Sequence, residues 1–92
     1  MEFKGSKSPW NYDGNVRGAV EGSIDDLVAS VYPMHYENAE EMKANAHLIS
    51  AAPELLQALQ LIVNYHDDGN EGLHREDLEM ARKAIAKSLG QQ

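Results

Sequence analysis

The residues best equipped for chemistry lie in one short run. His66-Asp67-Asp68, followed by His74, places two imidazoles and two carboxylates close together. Such groups ligate zinc or calcium and move protons. Their spacing completes neither task. There is no H-x-x-x-H or HExxH pair to put two imidazoles on one helical face. A calcium loop with Gly69 at its sixth position would have Asn64, His66 and Asp68 at the first, third and fifth. Its twelfth residue would be Arg75, where a bidentate glutamate is required. With Gly72 at the sixth position, the third becomes Gly69 and the twelfth Leu78. Neither register can chelate, so no metal is expected at His66, Asp67, Asp68 or His74.

Other catalytic chemistry is equally short of parts. The chain has no cysteine, hence no thiolate nucleophile, thiolate metal site or disulfide, as suits a reducing compartment. No G-x-S-x-G and no phosphate-cradling glycine loop is present. Acids abound, but nothing in the sequence sets two of them in an apolar pocket. The expectation is a protein that is not an enzyme and needs no cofactor.

Charge and aromatics point instead to binding. The net charge is −7, unevenly spread. Residues 21–79 hold thirteen acids against Lys43 and Arg75, whereas the last thirteen residues carry Arg82, Lys83 and Lys87 and no acid. An acidic middle repels a phosphate backbone and suits a basic protein surface. Five of the six aromatics are Trp10, Tyr12, Tyr32, Tyr36 and Tyr65. Trp and Tyr join large area to a polar tip and favour interfaces. Trp10 reads as the main core residue of a small sheet. Tyr32 and Tyr36 lie among acids, and with Asp25, Asp26, Glu37, Glu40 and Glu41 they form the expected partner-binding set. Lys83 and Lys87 are the competing candidates, for RNA or phosphates.

These residues need elements to position them. Ninety-two residues make a single domain with a modest core. Residues 1–8 read as a flexible arm, 9–33 as a β meander and 38–89 as helical. The fold class is α+β, a three-stranded antiparallel meander packed against two or three helices. "WNY" and "NVRGAVE" would form a hairpin through a type I′ turn at Asp13-Gly14. Val16 and Val20 would share a face, and "DDLVASVYP" would supply the third strand after Gly22-Ser23. Asn38 would cap a helix over 38–51, with Met42, Ala46 and Ile49 inward. Pro53, costly inside a helix and cheap at its first position, would open a second helix over 53–66. That helix would bury Leu55, Leu56, Leu59, Ile62 and Val63. A last helix would start at His74 and carry the stripe Leu78, Ala81, Ile85 and Leu89 to a stop at Gly90. No uninterrupted apolar run approaches the roughly 20 residues that span a bilayer, and no secretory signal is expected.

"ANAHLISAAPELLQAL" (residues 44–59) resembles a phrase shared by many small phage and prophage proteins. Pro9-Trp10 and "LVASV" at 27–31 stand in the matching order before it. The resemblance covers about residues 9–64. It implies phage origin and expression in the host bacterial cytoplasm, and assigns no catalytic residue. In that setting a small acidic protein is expected to inhibit a host antiviral defence complex, CRISPR-Cas foremost, by protein-protein binding that blocks nucleic-acid access. The alternative is a phage accessory or regulatory module that binds another phage or host protein.

Overall fold

A computed structural model describes residues 3–32, 39–70 and 72–91. The fold is α+β: strands β1 (Ala19–Glu21) and β2 (Leu27–Ser30), then helices α1 (Ala39–Asp67) and α2 (Arg75–Ser88). Two compact units divide the chain, Lys4–Glu54 and Leu55–Gln92 with Met1–Phe3.

In the first unit, β1 and β2 pair antiparallel, with Ala19 opposite Ser30, Val20 opposite Ala29 and Glu21 opposite Leu27. The two-for-one step between Val20 and Glu21 is a bulge. It breaks the strict alternation read from the sequence. Val20 is fully buried, while Leu27 is exposed. The expected three-stranded meander is not formed among the described residues. The first segment makes a single bridge, in which Asn11 and Glu21 exchange backbone hydrogen bonds of 2.7 and 2.9 Å. The reason lies at Asp13-Gly14, which does not close a two-residue hairpin. Asn15 takes over the segment. Its backbone N–H and side-chain amide both donate to Asp13 Oδ1, its amide also donates to the Ala19 carbonyl, and its Oδ1 accepts from the Ala19 N–H. Side-chain bonds of this kind offer the backbone an alternative to a ladder. Val16 is thereby left on a turn, 83% exposed, instead of sharing a buried face with Val20.

Gly18 is the hinge of this arrangement. Its φ is +63°, and a Cβ there would stand 2.1 Å from the Val31 carbonyl oxygen and 3.0 Å from Met42 Sδ. Only glycine permits that approach. The Val31 N–H donates to the Gly18 carbonyl at 2.9 Å, extending the pairing beyond β2. Met42 and Ala46 of α1 are buried in the same unit, and the Tyr12 hydroxyl donates to the Asn15 carbonyl at 2.7 Å. The Tyr12 ring meets His47 edge-on at 4.9 Å.

Helix α1 runs without a break through Pro53, correcting the expected pair of helices joined at Ala51-Ala52. The proline removes one N–H and crowds the Ile49 carbonyl, at about 3 kcal/mol. A break would instead leave up to four N–H and four C=O groups unpartnered and require a second helix nucleus. One lost bond costs less than two new ends. The expected cap at Asn38 lies outside the described residues. The 29-residue helix contains an 18-residue window of mean hydropathy 1.3, so by length and composition it is long and apolar enough to cross a membrane. A window mean of this size does not require an uninterrupted apolar run, which the sequence lacks.

In the second unit α1 ends at Asp67, Gly69 takes φ +96° just beyond it, and the Asn70 side-chain amide donates to the Tyr65 carbonyl. His74 is the N-cap residue of α2, as its position implied. At the other end, Gly90 (φ +74°) donates to the Lys87 carbonyl and Gln91 to the Ala86 carbonyl. This paired closure is a Schellman motif. The α2 stripe is in place: Ala81 is buried, and Leu78, Ile85 and Leu89 are half-buried. Arg82 pairs with Asp67, joining α2 to the end of α1. The expected α1 core is only partly realised. Val63 is buried, Leu56 and Leu59 are half-buried, and Leu55 and Ile62 are exposed. A helix apolar around most of its circumference has more face than one amphipathic neighbour can cover.

Candidate functional site: an acidic turn and an uncovered helix face

Two surfaces carry the residues of interest, one in each unit. In the unit Lys4–Glu54, the chain reverses after β1 through a turn in which Gly22 N–H donates to the Asp26 carbonyl and Asp25 N–H to the Gly22 carbonyl. Asp25 holds φ +61°, a left-handed conformation that aspartate tolerates better than most residues. Its side chain lines a small pocket of about 70 Å³ with Asp13, Glu21, Asn11 and Asn15. Asp26 turns inward. Its Oδ1 is buried without a hydrogen-bond partner, over the face of Gly22, where a Cβ would stand 2.4 Å away. Two hydrogen bonds from Asn15, side-chain first and backbone second, hold the Asp13 carboxyl below its ordinary value of 3.8.

Of the partner-binding set, Tyr32 is 80% exposed, and Glu40 and Glu41 are exposed in the first turn of α1, where the helix dipole favours acids. Asp25 is exposed and Asp26 half-buried. Tyr36 and Glu37, which would link the turn to the helix, lie outside the described residues. The basic candidates Lys83 and Lys87 are exposed on α2. Trp10 is half-buried, and its indole N–H donates to the Ser6 carbonyl at 3.0 Å.

In the other unit, α1 and α2 flank a cleft of about 470 Å³. Leu61, Val63, Ile85 and Leu89 supply its apolar lining, and Gln57, Gln60, Asn64 and Arg82 line it with polar groups. Among the described residues no three His, Cys, Asp or Glu side chains are placed to hold a metal ion. Asp67 is occupied by Arg82, and His66 is half-buried with Nδ1 lacking a partner. The exposed apolar side chains of α1 are the feature not legible in the sequence: Leu55 and Ile62 of this unit, expected to be buried, are 54% and 48% exposed, and Leu48, in the unit Lys4–Glu54 and assigned no face by the sequence, is 64% exposed.

A protein-family model described as Salmonella phage P22 protein Y8K6 matches residues 1–92. The chain belongs to this family. It is therefore a small phage-encoded protein, and the phage resemblance carried by residues 44–59 has the same sense. No curated protein and no solved structure matches the chain. Membership brings no reaction or ligand with it, so the surfaces themselves must carry the functional reading.

Proposed function

We propose that this phage protein is a non-catalytic inhibitor of a host antiviral defence complex, acting in the host bacterial cytoplasm. It binds a basic, nucleic-acid-handling surface and blocks access to it, with a CRISPR-Cas effector as the foremost target. The observation that carries this reading is the exposure of Asp25, Tyr32, Glu40 and Glu41 within a stretch, residues 21–79, that holds thirteen acids against two basic residues. A guide-and-target channel is strongly positive because it must hold a heteroduplex by its backbone. Carboxylates flanked by an exposed tyrosine match such a surface in charge and offer an aromatic anchor. Lys83 and Lys87 would make any secondary contact to guide RNA.

The runner-up is an accessory or regulatory module that binds another phage or host protein. The exposed apolar residues of α1 favour it, since uncovered Leu and Ile suit a protein partner better than an ionic one. The two readings separate in a reconstituted CRISPR effector assay. Under the first, the wild type inhibits target binding, and inhibition weakens as salt rises past about 0.15 M, where the Debye length is about 8 Å. Reversing Asp25, Glu40 and Glu41 to lysine should abolish inhibition while circular dichroism stays unchanged. Reversing Lys83 and Lys87 should leave it intact. Inhibition lost only in the lysine variant would move the contact surface to α2, and no inhibition of any effector would leave the accessory module.

A further inference from the structure

The tripeptide Asp-Gly-Asn occurs twice in the chain, as Asp13-Gly14-Asn15 and as Asp68-Gly69-Asn70. Both aspartates are exposed. Both glycines take a positive φ, +89° at Gly14 and +96° at Gly69, with no atom within 4 Å of where a Cβ would stand. Glycine leaves its nitrogen unshielded and the backbone free to bring that nitrogen to the preceding carboxyl carbon. We propose that Asp68 is a site of spontaneous isomerisation to isoaspartate in the folded protein, and that Asn15 protects Asp13 from the same reaction. The two copies agree in sequence, exposure and glycine conformation. What separates them is chiefly the use made of the asparagine.

The reaction needs no co-reactant but water. The Gly69 nitrogen attacks Asp68 Cγ and a C–N bond forms. A Cγ–O bond breaks, and its oxygen leaves as water with the amide hydrogen and the carboxyl proton. The product is a five-membered succinimide, which water reopens at one of its two carbonyls. Opening at Cγ restores aspartate. Opening at the main-chain carbonyl leaves the chain running through Cβ and Cγ, with the former main-chain carbon as the free carboxylate. Nothing is oxidised or reduced, and the isomer keeps the mass and charge of the original. The ring closes from the protonated carboxyl, because a carboxylate repels the incoming nitrogen and has no neutral group to lose.

At Asp13 the asparagine turns back on the aspartate. Asn15 donates to Asp13 Oδ1 twice, from its backbone N–H at 2.9 Å and from its amide at 2.7 Å. The same side chain is anchored at Ala19 through its amide and its Oδ1, at 3.1 and 2.8 Å. Both bonds to Oδ1 favour the ionised carboxyl and hold it below its ordinary value. Turning and protonating that carboxyl means giving them up. At Asp68 the asparagine is spent elsewhere, its amide donating to the Tyr65 carbonyl at 2.9 Å. Among the described residues the Asp68 carboxyl accepts no hydrogen bond and forms no ion pair, and Arg82 pairs with the neighbouring Asp67 instead. The nitrogens rank the other way. Gly69 N–H donates to the His66 carbonyl at 3.0 Å, whereas Gly14 N–H makes no hydrogen bond among the described residues. The Gly69 bond lies just beyond the last turn of α1, where opening costs little. The bonds on Asp13 belong to a network tied to Ala19 of β1, so the carboxyl decides the outcome.

The test ages the full-length chain below its melting transition at about pH 6, clear of its isoelectric point of about 4.9. Isoaspartate is counted by methyl transfer from S-adenosylmethionine with a protein isoaspartyl methyltransferase, and placed by electron-transfer fragmentation of the peptides. It should accumulate at Asp68 about fivefold or more faster than at Asp13, the factor that one hydrogen bond of ordinary net strength supplies. In denaturant the two sites should react at closely similar rates, since the tripeptides are the same. Asp68→Glu keeps the charge but would need a six-membered ring, so it should remove the Asp68 signal and leave Asp13 unchanged. Asn15→Ala should raise the Asp13 rate toward that of the denatured chain. Equal rates at the two sites in the folded chain, a faster reaction at Asp13, or no isoaspartate at Asp68 would overturn the proposal. A folded Asn15→Ala chain with Asp13 as stable as before would overturn the role of Asn15. Should that variant unfold, the wild type decides: equal Asp13 rates in the folded and denatured chain would overturn the protection.

Discussion

The two compact units are held in different ways. Lys4–Glu54 depends on residue-specific devices: the glycine that lets the Val31 carbonyl approach, the four hydrogen bonds of Asn15, and the Tyr12 hydroxyl on the Asn15 carbonyl. Leu55–Gln92 depends on pattern: a helical stripe, two glycine-closed helix ends and one ion pair. Among the described residues the first kind of order buries Ala19, Val20, Met42 and Ala46 and tolerates few substitutions, whereas the second buries only Val63 and Ala81 and tolerates many. The specified part presents its acids in a fixed turn, and the patterned part leaves Leu55, Leu61 and Ile62 exposed.

The contrast can be sharpened by substitution. The largest effect is expected at Gly18→Val, where a side chain meets a backbone oxygen and the positive φ is disfavoured for a branched residue. Loss of about 3 kcal/mol or more should appear in denaturant unfolding. A loss under about 1 kcal/mol would mean that the close approach of Gly18 to Val31 does not hold the unit. Pro53→Ala restores an N–H and relieves the Ile49 carbonyl, so the stability of the whole chain should rise by about 2 kcal/mol, after allowance for the greater freedom of the unfolded chain. An unchanged melting temperature would indicate a break in α1 at Ala51-Ala52. The smallest effect belongs to Arg82→Ala. Its ion pair with Asp67 is exposed by about half on each side, and such pairs contribute under about 1 kcal/mol, less at high salt. A larger loss would show that the helical unit is also held by a specific contact.

Much of the helical part was legible in the residues. The α2 stripe, its start at His74 and its stop at Gly90 follow from a 3.6-residue period and end chemistry that act over a few residues. The sheet was not legible to the same degree. Asp13-Gly14 has the composition of a hairpin turn, yet Asn15 captures both Asp13 and Ala19 and holds the segment as a loop. The bulge between Val20 and Glu21 then shifts which β2 residues face inward. Of the partner-binding set, the exposure of Asp25, Tyr32, Glu40 and Glu41 accords with their polarity and position, whereas the inward turn of Asp26 depends on Gly22 having no side chain.

The sequence by itself determined the α+β class, the strongly acidic middle, the absence of thiol chemistry and the phage lineage. Composition and local period decide these, and no distant contact can change them. Only the tertiary structure decided that α1 continues through Pro53 and that Leu48, Leu55 and Ile62 remain uncovered. Propensity sets the cost of a proline in a helix, but the cost of two extra helix ends decides whether that cost is borne. Likewise hydrophobicity says that a leucine gains by burial, while the number of neighbouring elements decides which leucines are buried. Here the described elements are too few to surround a helix that is apolar on more than one side.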